Sequence, residues 1–174
     1  LTIGNGAFNE CKGIEEIKLP VQTTRLGSNF ISGTAITEIL IPKGVVKCGT
    51  NGNNRGPLDG AEQLKKVVFE DGTKEILGNI CSMGSSMIEE VVIPSSIEKI
   101  GMDAFEDCKY LTKVDIPENV IEIGGGAFAG CVRLNEVTFH DNVTETENAE
   151  GEKIPFSLTI GNGAFNECKG IEEI

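Results

Sequence analysis

The chain has 174 residues, 39% of them hydrophobic, and a formal net charge of −12; that is enough length and apolar content for one core of ordinary size. The acidic balance argues against nucleic acid or an anionic membrane surface as partner, because phosphate binding relies on clustered Lys and Arg. No apolar run approaches the roughly 18 residues needed to cross a bilayer, so no membrane insertion is expected, and with aromatics at 5% and no Trp the core must come mainly from Ile, Val and Leu.

The chain opens Leu1-Thr2-Ile3-Gly4, without the basic and apolar regions of a signal peptide. Residues 1–17 (LTIGNGAFNECKGIEEI) return letter for letter at 158–174, a period of 157 residues. The identity includes Asn5, Asn9, Lys12 and Glu15, which a fold hardly constrains, so shared folding demands do not explain it. The chain reads as a slice of a longer tandem array, with recent duplication or deliberate concatenation as the other origins.

Within the period, glycines in a common setting fall at Gly4, Gly27, Gly49, Gly78, Gly101, Gly124 and Gly161, a base spacing of about 23 residues. Two intervals are longer and carry insertions, residues 50–57 (TNGNNRGP) and 142–157 (NVTETENAEGEKIPFS). In chain order the frame predicts strands at Ile14-Ile17-Leu19-Pro20, Ile36-Ile39-Ile41-Pro42, Leu64-Val67-Phe69, Ile88-Val91-Ile93-Pro94, Leu111-Val114-Ile116-Pro117 and Leu134-Val137-Phe139. Apolar residues two apart, rich in β-branched types and stopped by Pro, describe a short strand with one face buried. Between strands, Gly-x-x-Ala-Phe-x-x-Cys spaces its apolar residues three and four apart, which predicts a helical or 3₁₀ turn. Gly at the corner admits a φ that other residues reach only with strain. A unit this small cannot bury its own apolar face, so the units must stack, with strands in parallel ladders. Phe8, Phe105, Phe128 and Phe165 are expected to form a spine, with Phe30 displaced, Leu58 standing in for Phe, and Ser82 and Ser85 replacing Phe and Cys in the fourth unit.

The run Ile-Pro-x-x-(Val/Ile)-x-x-Ile-Gly-x-x-Ala-Phe-x-x-Cys-x-x-Leu, as in Ile93 to Leu111 and Ile116 to Leu134, resembles the BspA-type leucine-rich repeat. The expected fold is an α/β repeat solenoid, leucine-rich-repeat-like, with short parallel strands plus helical or 3₁₀ turns. It spans 1–174 as one domain of six repeats and a partial seventh. The resemblance implies a surface solenoid, extracellular or at the cell surface, that adheres or aggregates rather than catalyses.

The candidate chemical groups are weaker than their structural readings. Cys11, Cys108, Cys131 and Cys168 share one slot, which the family fills with a buried thiol; adjacent thiols are near enough for a disulfide, but parallel side chains make that geometry poor. No Cys-x-x-Cys occurs and His140 is the only histidine, so neither a zinc set nor a nucleophile with its base is expected, and no cofactor. Gly124-Gly125-Gly126 and Gly4-Asn5-Gly6 lack the Lys-Ser/Thr ending of a phosphate loop. Neighbouring carboxylates such as Glu89-Glu90 point to opposite strand faces and make no dyad. Asp141, Glu145, Glu147, Glu150 and Glu152 crowd the second insertion without the fixed spacing of a cation loop, and Asn142-Val143-Thr144 is a formal sequon.

The outer strand face is the candidate binding surface. Lys18, Leu40, Val68, Val92, Asp115 and Thr138 form one row, and Glu38, Lys66, Glu90, Lys113 and Glu136 run beside it with alternating sign. An apolar stripe rimmed by charge suits an interaction patch; β-propensity with cross-strand ion pairing explains the same residues. Two functions stay open: a structural array, filament or stalk built from 157-residue periods, and an adhesion module for an extracellular protein or glycan. An uncapped solenoid also predicts head-to-tail contact with copies of itself, Ile171 and Ile174 meeting Ile14, Ile17 and Leu19.

Overall fold

The computed structural model describes residues 1–49, 55–82, 87–140, 145–147, 151–155 and 157–171. Its strands in chain order are β1 (Thr2–Ile3), β2 (Arg25–Leu26), β3 (Glu38–Ile41), β4 (Lys47–Cys48), β5 (Lys66–Phe69), β6 (Glu75–Ile76) and β7 (Glu90–Val92). They continue as β8 (Lys99–Ile100), β9 (Lys113–Ile116), β10 (Glu122–Ile123), β11 (Glu136–Phe139), β12 (Glu145–Glu147), β13 (Lys153–Pro155) and β14 (Thr159–Ile160). From β3 onward each coil is a longer strand, a corner, a two-residue strand and a turn.

Successive coils pair in parallel. The longer strands make the ladders β3-β5-β7 and β9-β11, and the two-residue strands make β1-β2-β4 and β6-β8-β10-β14. The register is that of the sequence frame: Ile39, Val67 and Val91 are paired neighbours, as are Val114 and Val137. Their side chains face the core, where Ile39, Val67 and Val114 are almost wholly buried, while the residues between them face out, the alternation that a one-sided strand requires. The second insertion is not a plain loop, since β12 and β13 pair antiparallel as a hairpin.

The helical or 3₁₀ turn expected in each coil is not there; no helix of either kind occurs among the described residues. Two features of the turn forbid it. First, its amides alternate in their commitments. Ala7, Asn9 and Cys11 donate to the third residue back, whereas Gly6, Phe8 and Glu10 donate to Ser28, Phe30 and Ser32 of the next coil. A helix needs every amide for itself. Second, two residues four apart take left-handed backbone conformations in coil after coil: Gly6 and Glu10, Asn29 and Gly33, Asp103 and Asp107, Gly126 and Gly130, Gly163 and Glu167. A right-handed helix cannot run through them. The three- and four-residue apolar spacing arises instead from a string of turns, and the fold is a parallel β-solenoid.

The corner glycines also owe their place to a different cause than the one expected. Gly27, Gly101 and Gly124 do not have positive φ; a Cβ on each would overlap the backbone of a neighbouring coil, Gly4 and Asn5, Gly78, and Gly101 and Met102 respectively. Close approach of coils, not backbone freedom, excludes a side chain there.

In the core, Phe105, Phe128 and Phe165 stack with ring centroids 5.5 and 5.3 Å apart. Phe8 is not in that spine; it lies half-buried at the other end. The spine stops at Phe105 because the preceding coil has Cys81 in the aromatic slot: Asn79 and Asp103 share the left-handed conformation, and Cys81 and Phe105 follow each by two residues. Phe69 fills the vacancy edge-on, 6.3 Å from Phe105. Ser82, expected in that slot, instead donates its amide to the buried Asp59 carboxylate at 2.8 Å, and Ser85 lies outside the described residues.

Candidate interaction surfaces

The outward face of β3, β5 and β7 brings Leu40, Val68 and Val92 side by side, and next to them Glu38, Lys66 and Glu90. Leu40 is 50% exposed and Val92 36%, so the apolar row is open to solvent. Lys66 reaches Glu90 at 3.1 Å. The row does not continue unbroken, because β7 and β9 are not ladder partners. Asp115 lies on the separate β9-β11 ladder opposite Thr138, where Lys113 contacts Glu136 at 2.7 Å and Asp115 at 3.4 Å. Those contacts raise the Lys113 pKa, the Glu136 hydrogen bond first and the Asp115 charge next. Ion pairs this exposed add little stability and chiefly hold the charged rim in order.

The first longer strand, expected at Ile14 to Leu19, does not form. No backbone hydrogen bond joins residues 15–19 to β3, and between them lies an open groove of about 900 Å³ lined by Glu15, Ile17, Leu19, Thr37 and Leu40 among others. The sequence frame sets Glu16 opposite Glu38, and like charges directly across a ladder disfavour pairing. Lys18 turns to its own coil instead, 3.4 Å from Glu16. Ile14, Ile17, Leu19 and Ile171 are half-buried; Ile174 lies outside the described residues.

The duplicated segment gives the two ends complementary faces. In the first copy the amides of Gly6, Phe8 and Glu10 donate to Ser28, Phe30 and Ser32 at 2.8 to 2.9 Å. In the second, the carbonyls of Asn162, Ala164 and Asn166 accept from Gly126, Phe128 and Gly130 at 2.7 to 3.1 Å. The amides of Gly163, Phe165 and Glu167 then point outward, with no hydrogen bond to any described residue.

The cysteines are free, but not all buried. Cys108, Cys131 and Cys168 are buried and Cys11 is exposed, a departure from the family expectation that arises because no described residue packs over that side of Cys11 as Phe105 and Phe128 do over Cys131 and Cys168. The Cys131 and Cys168 thiols each donate to the backbone carbonyl of a spine residue in the preceding coil, Phe105 at 3.2 Å and Phe128 at 3.1 Å. The Cys168 hydrogen bond, with burial second, holds the Cys131 thiol above its ordinary value. His140 is exposed and its amide closes the β9-β11 ladder onto Ile116 at 3.1 Å. Of the acidic insertion, Glu152 is exposed, while Asp141, Asn142 and Glu150 lie outside the described residues. No group able to hold a metal occurs among the described residues.

Parallel coils of about 23 residues, packed through an aliphatic strand face and closed by turns, define a solenoid of the leucine-rich-repeat class. The sequence matches the BspA type Leucine rich repeat region in six copies over residues 1–55 and 57–150, and the chain belongs to that family. The crystal structure of a leucine-rich repeat protein from Bacteroides ovatus is similar, with 26% identity and a TM-score of 0.63 over 97% of this chain and 44% of that one. A leucine rich cell surface protein from Faecalibacterium prausnitzii is more distant, at 20% identity and a TM-score of 0.42 over 98% of this chain and 56% of that one. The chain thus spans about half the length of each. No curated protein matches it.

Proposed function

We propose that the chain is a non-enzymatic structural module whose 157-residue periods, and whose separate copies, join head to tail into a stalk or filament outside the cell. The observation that carries this reading is the duplicated coil: the same residues offer outward amides from Gly163, Phe165 and Glu167 at one end and, at the other, already occupy a seat on the following coil. The family resemblance supports the location at the cell surface. Sedimentation equilibrium of the 174-residue polypeptide should show a mass that rises with concentration, and negative-stain images should show rods; a monomer at every concentration would overturn the reading.

A second reading is favoured by one observation, the exposure of Leu40 and Val92 flanking Val68 in a charged rim. On it the module adheres to a host, matrix or partner-cell protein or glycan through this face. Val68→Lys or Val92→Lys would then abolish cell or matrix adhesion while leaving the circular dichroism spectrum and self-association unchanged.

A further inference from the structure

The chain shows within itself how a pair of adjacent strand glutamates is satisfied. Lys65-Lys66 lies beside Glu89-Glu90, with Lys65 to Glu89 at 3.4 Å and Lys66 to Glu90 at 3.1 Å. The amides of Glu89 and Glu90 also donate to the Lys65 carbonyl, at 2.8 and 3.1 Å. The first coil carries the same pattern, Ile14-Glu15-Glu16-Ile17 for Ile88-Glu89-Glu90-Val91. The coil next to it answers with Thr37 and Glu38, one neutral and one of like charge, and the seam stays open.

That seam has the means to hold a further strand. β3 is the edge of its ladder. The amides of Lys66, Glu90 and Glu136 each donate to the preceding coil, whereas the Glu38 amide has no partner among the described residues; an unpaired strand edge is a template for another chain. The groove beside it measures about 900 Å³, at the upper end of the roughly 300–1,000 Å³ of ligand pockets. Its walls include the half-buried Ile17 and Leu19 and the exposed Leu40. Its charge is one-sided, Glu15, Glu16 and Glu38 against Lys18 alone, and Lys18 is already taken up by Glu16 at 3.4 Å.

We propose that this groove is a peptide-binding site: an extended segment of a partner protein, with two adjacent lysines or arginines followed by alternating apolar residues, lies between residues 15–19 and β3 as a parallel strand. This rests on the adhesive reading above and names the partner. The two basic residues lie beside Glu15 and Glu16, as Lys65 and Lys66 lie beside Glu89 and Glu90. The second also faces Glu38, as Lys66 does from β5. The next residue turns inward between Ile17 and Ile39, and the one after it outward beside Leu40. Main-chain bonds to the β3 edge supply affinity, and the charge match supplies selectivity. At the other unpaired junction of longer strands, β7 with β9, the frame sets Glu90 toward Lys113, which Glu136 and Asp115 already hold, so no unmet charge is presented there. Both walls of the groove belong to consecutive coils; a coil stacked before residue 1 would meet the far side of residues 15–19, not the groove.

The probe is the capped, fluorescein-labelled peptide Leu-Lys-Lys-Val-Val-Phe-Glu, the sequence of residues 64–70, titrated with the 174-residue polypeptide and followed by anisotropy. Saturable binding is expected, about tenfold tighter than for a scrambled peptide of the same composition. It should be about twentyfold tighter than for the peptide with both lysines replaced by glutamate, a factor of about five for each ion pair. No binding, or equal binding of the scrambled peptide, would overturn the site, the second result marking general attraction to an acidic protein. Glu16→Lys sets opposite charges across the seam and should let residues 15–19 pair with β3. Probe binding is then lost while hydrogen exchange at the Glu38 amide slows; undiminished binding would overturn the proposal. Glu16→Gln removes one charge and should weaken binding by about fivefold. Val92→Lys lies outside the groove and should leave probe binding unchanged. If Val92→Lys abolishes adhesion and the wild type does not bind the probe, the peptide site falls and adhesion through the strand face stands.

Discussion

Residues 1–14 and 158–171 are one sequence in two settings, and they do not behave alike. Ala164 is 2% exposed and Cys168 9%, while Ala7 and Cys11 are exposed. Phe165 stacks on Phe128 with rings 6° from parallel, whereas Phe8 has no aromatic contact with a described residue. The local backbone is nevertheless conserved: Gly6 and Gly163, and Glu10 and Glu167, share their left-handed conformations. Conformation is therefore written into these fourteen residues, and burial is supplied by the neighbour. A coil with a neighbour on its core-spine side keeps its thiol dry; a coil without one exposes it.

The widest predicted difference is in thiol reactivity. Alkylation at pH 8 should modify Cys11 first, with Cys108, Cys131 and Cys168 protected until the solenoid opens. Cys48 should lag as well, because burial pushes its thiol from 9.0 to about 12, leaving on the order of a thousandfold less thiolate at that pH. Folding raises this pKa, so its contribution to stability is intact below about pH 9 and lost as the pH climbs toward 12; urea midpoints should fall across that window. Peptide mapping that finds Cys168 labelled as fast as Cys11 would break the comparison.

Next in size is the stack. Phe128→Ala opens a cavity between two rings and should cost about 3–5 kcal/mol, while Phe8→Ala should cost roughly 1 kcal/mol for a half-buried ring. Both are read from urea unfolding, and equal losses would mean that Phe8 is covered after all.

The parts of this architecture legible in the sequence are those that repeat at fixed spacing. Ile39, Val67 and Val114 announce a one-sided strand, and the alternation Glu38, Lys66, Glu90 announces its outer rim. The turn reads as helical because Ala104, Phe105 and Cys108 have helical spacing, while Asp103 and Asp107 admit a left-handed backbone without requiring it. The signal that could have exposed it is the recurrence of glycine at the same two places, Gly6, Gly126 and Gly163, then Gly33, Gly60 and Gly130. The failed pairing of residues 15–19 was visible as Glu16 ahead of Glu38, where the sign alternation breaks. The exposure of Cys11 was not legible at all, since it depends on which coil lies next to it and not on its own residues.

A smaller effect is expected at Asp59. It follows Leu58 as Asn9 follows Phe8 and Asn166 follows Phe165, but those two are exposed and Asp59 is buried. Its carboxylate accepts the amides of Gly56 at 2.6 Å and Ser82 at 2.8 Å, fastening its own coil to the next beside the first insertion. Asp59→Ala strands both amides and should cost roughly 1–3 kcal/mol; Asn9→Ala, at the exposed equivalent, should be close to neutral. Thermal unfolding of the pair measures how far a shared position takes its energetic weight from its surroundings.

The smallest effect has the opposite sign. Thr23, Val45, Thr73, Ile97 and Val120 hold one position, each amide donating to the third residue back, and all are buried. Thr73 directs its hydroxyl to the Glu70 carbonyl at 2.6 Å, whereas the Thr23 hydroxyl is buried with no partner among the described residues. An unmet buried hydroxyl costs free energy that an isosteric methyl does not. Thr23→Val should thus stabilise by about 1 kcal/mol, and Thr73→Val should destabilise by a similar amount because it removes a hydrogen bond. Since Thr23 lies just beyond the weakly held first coil, its replacement should also slow hydrogen exchange at the Gly6, Phe8 and Glu10 amides. Destabilisation by both substitutions would mean that the Thr23 hydroxyl is satisfied in solution and that the first seam is firmer than its groove implies.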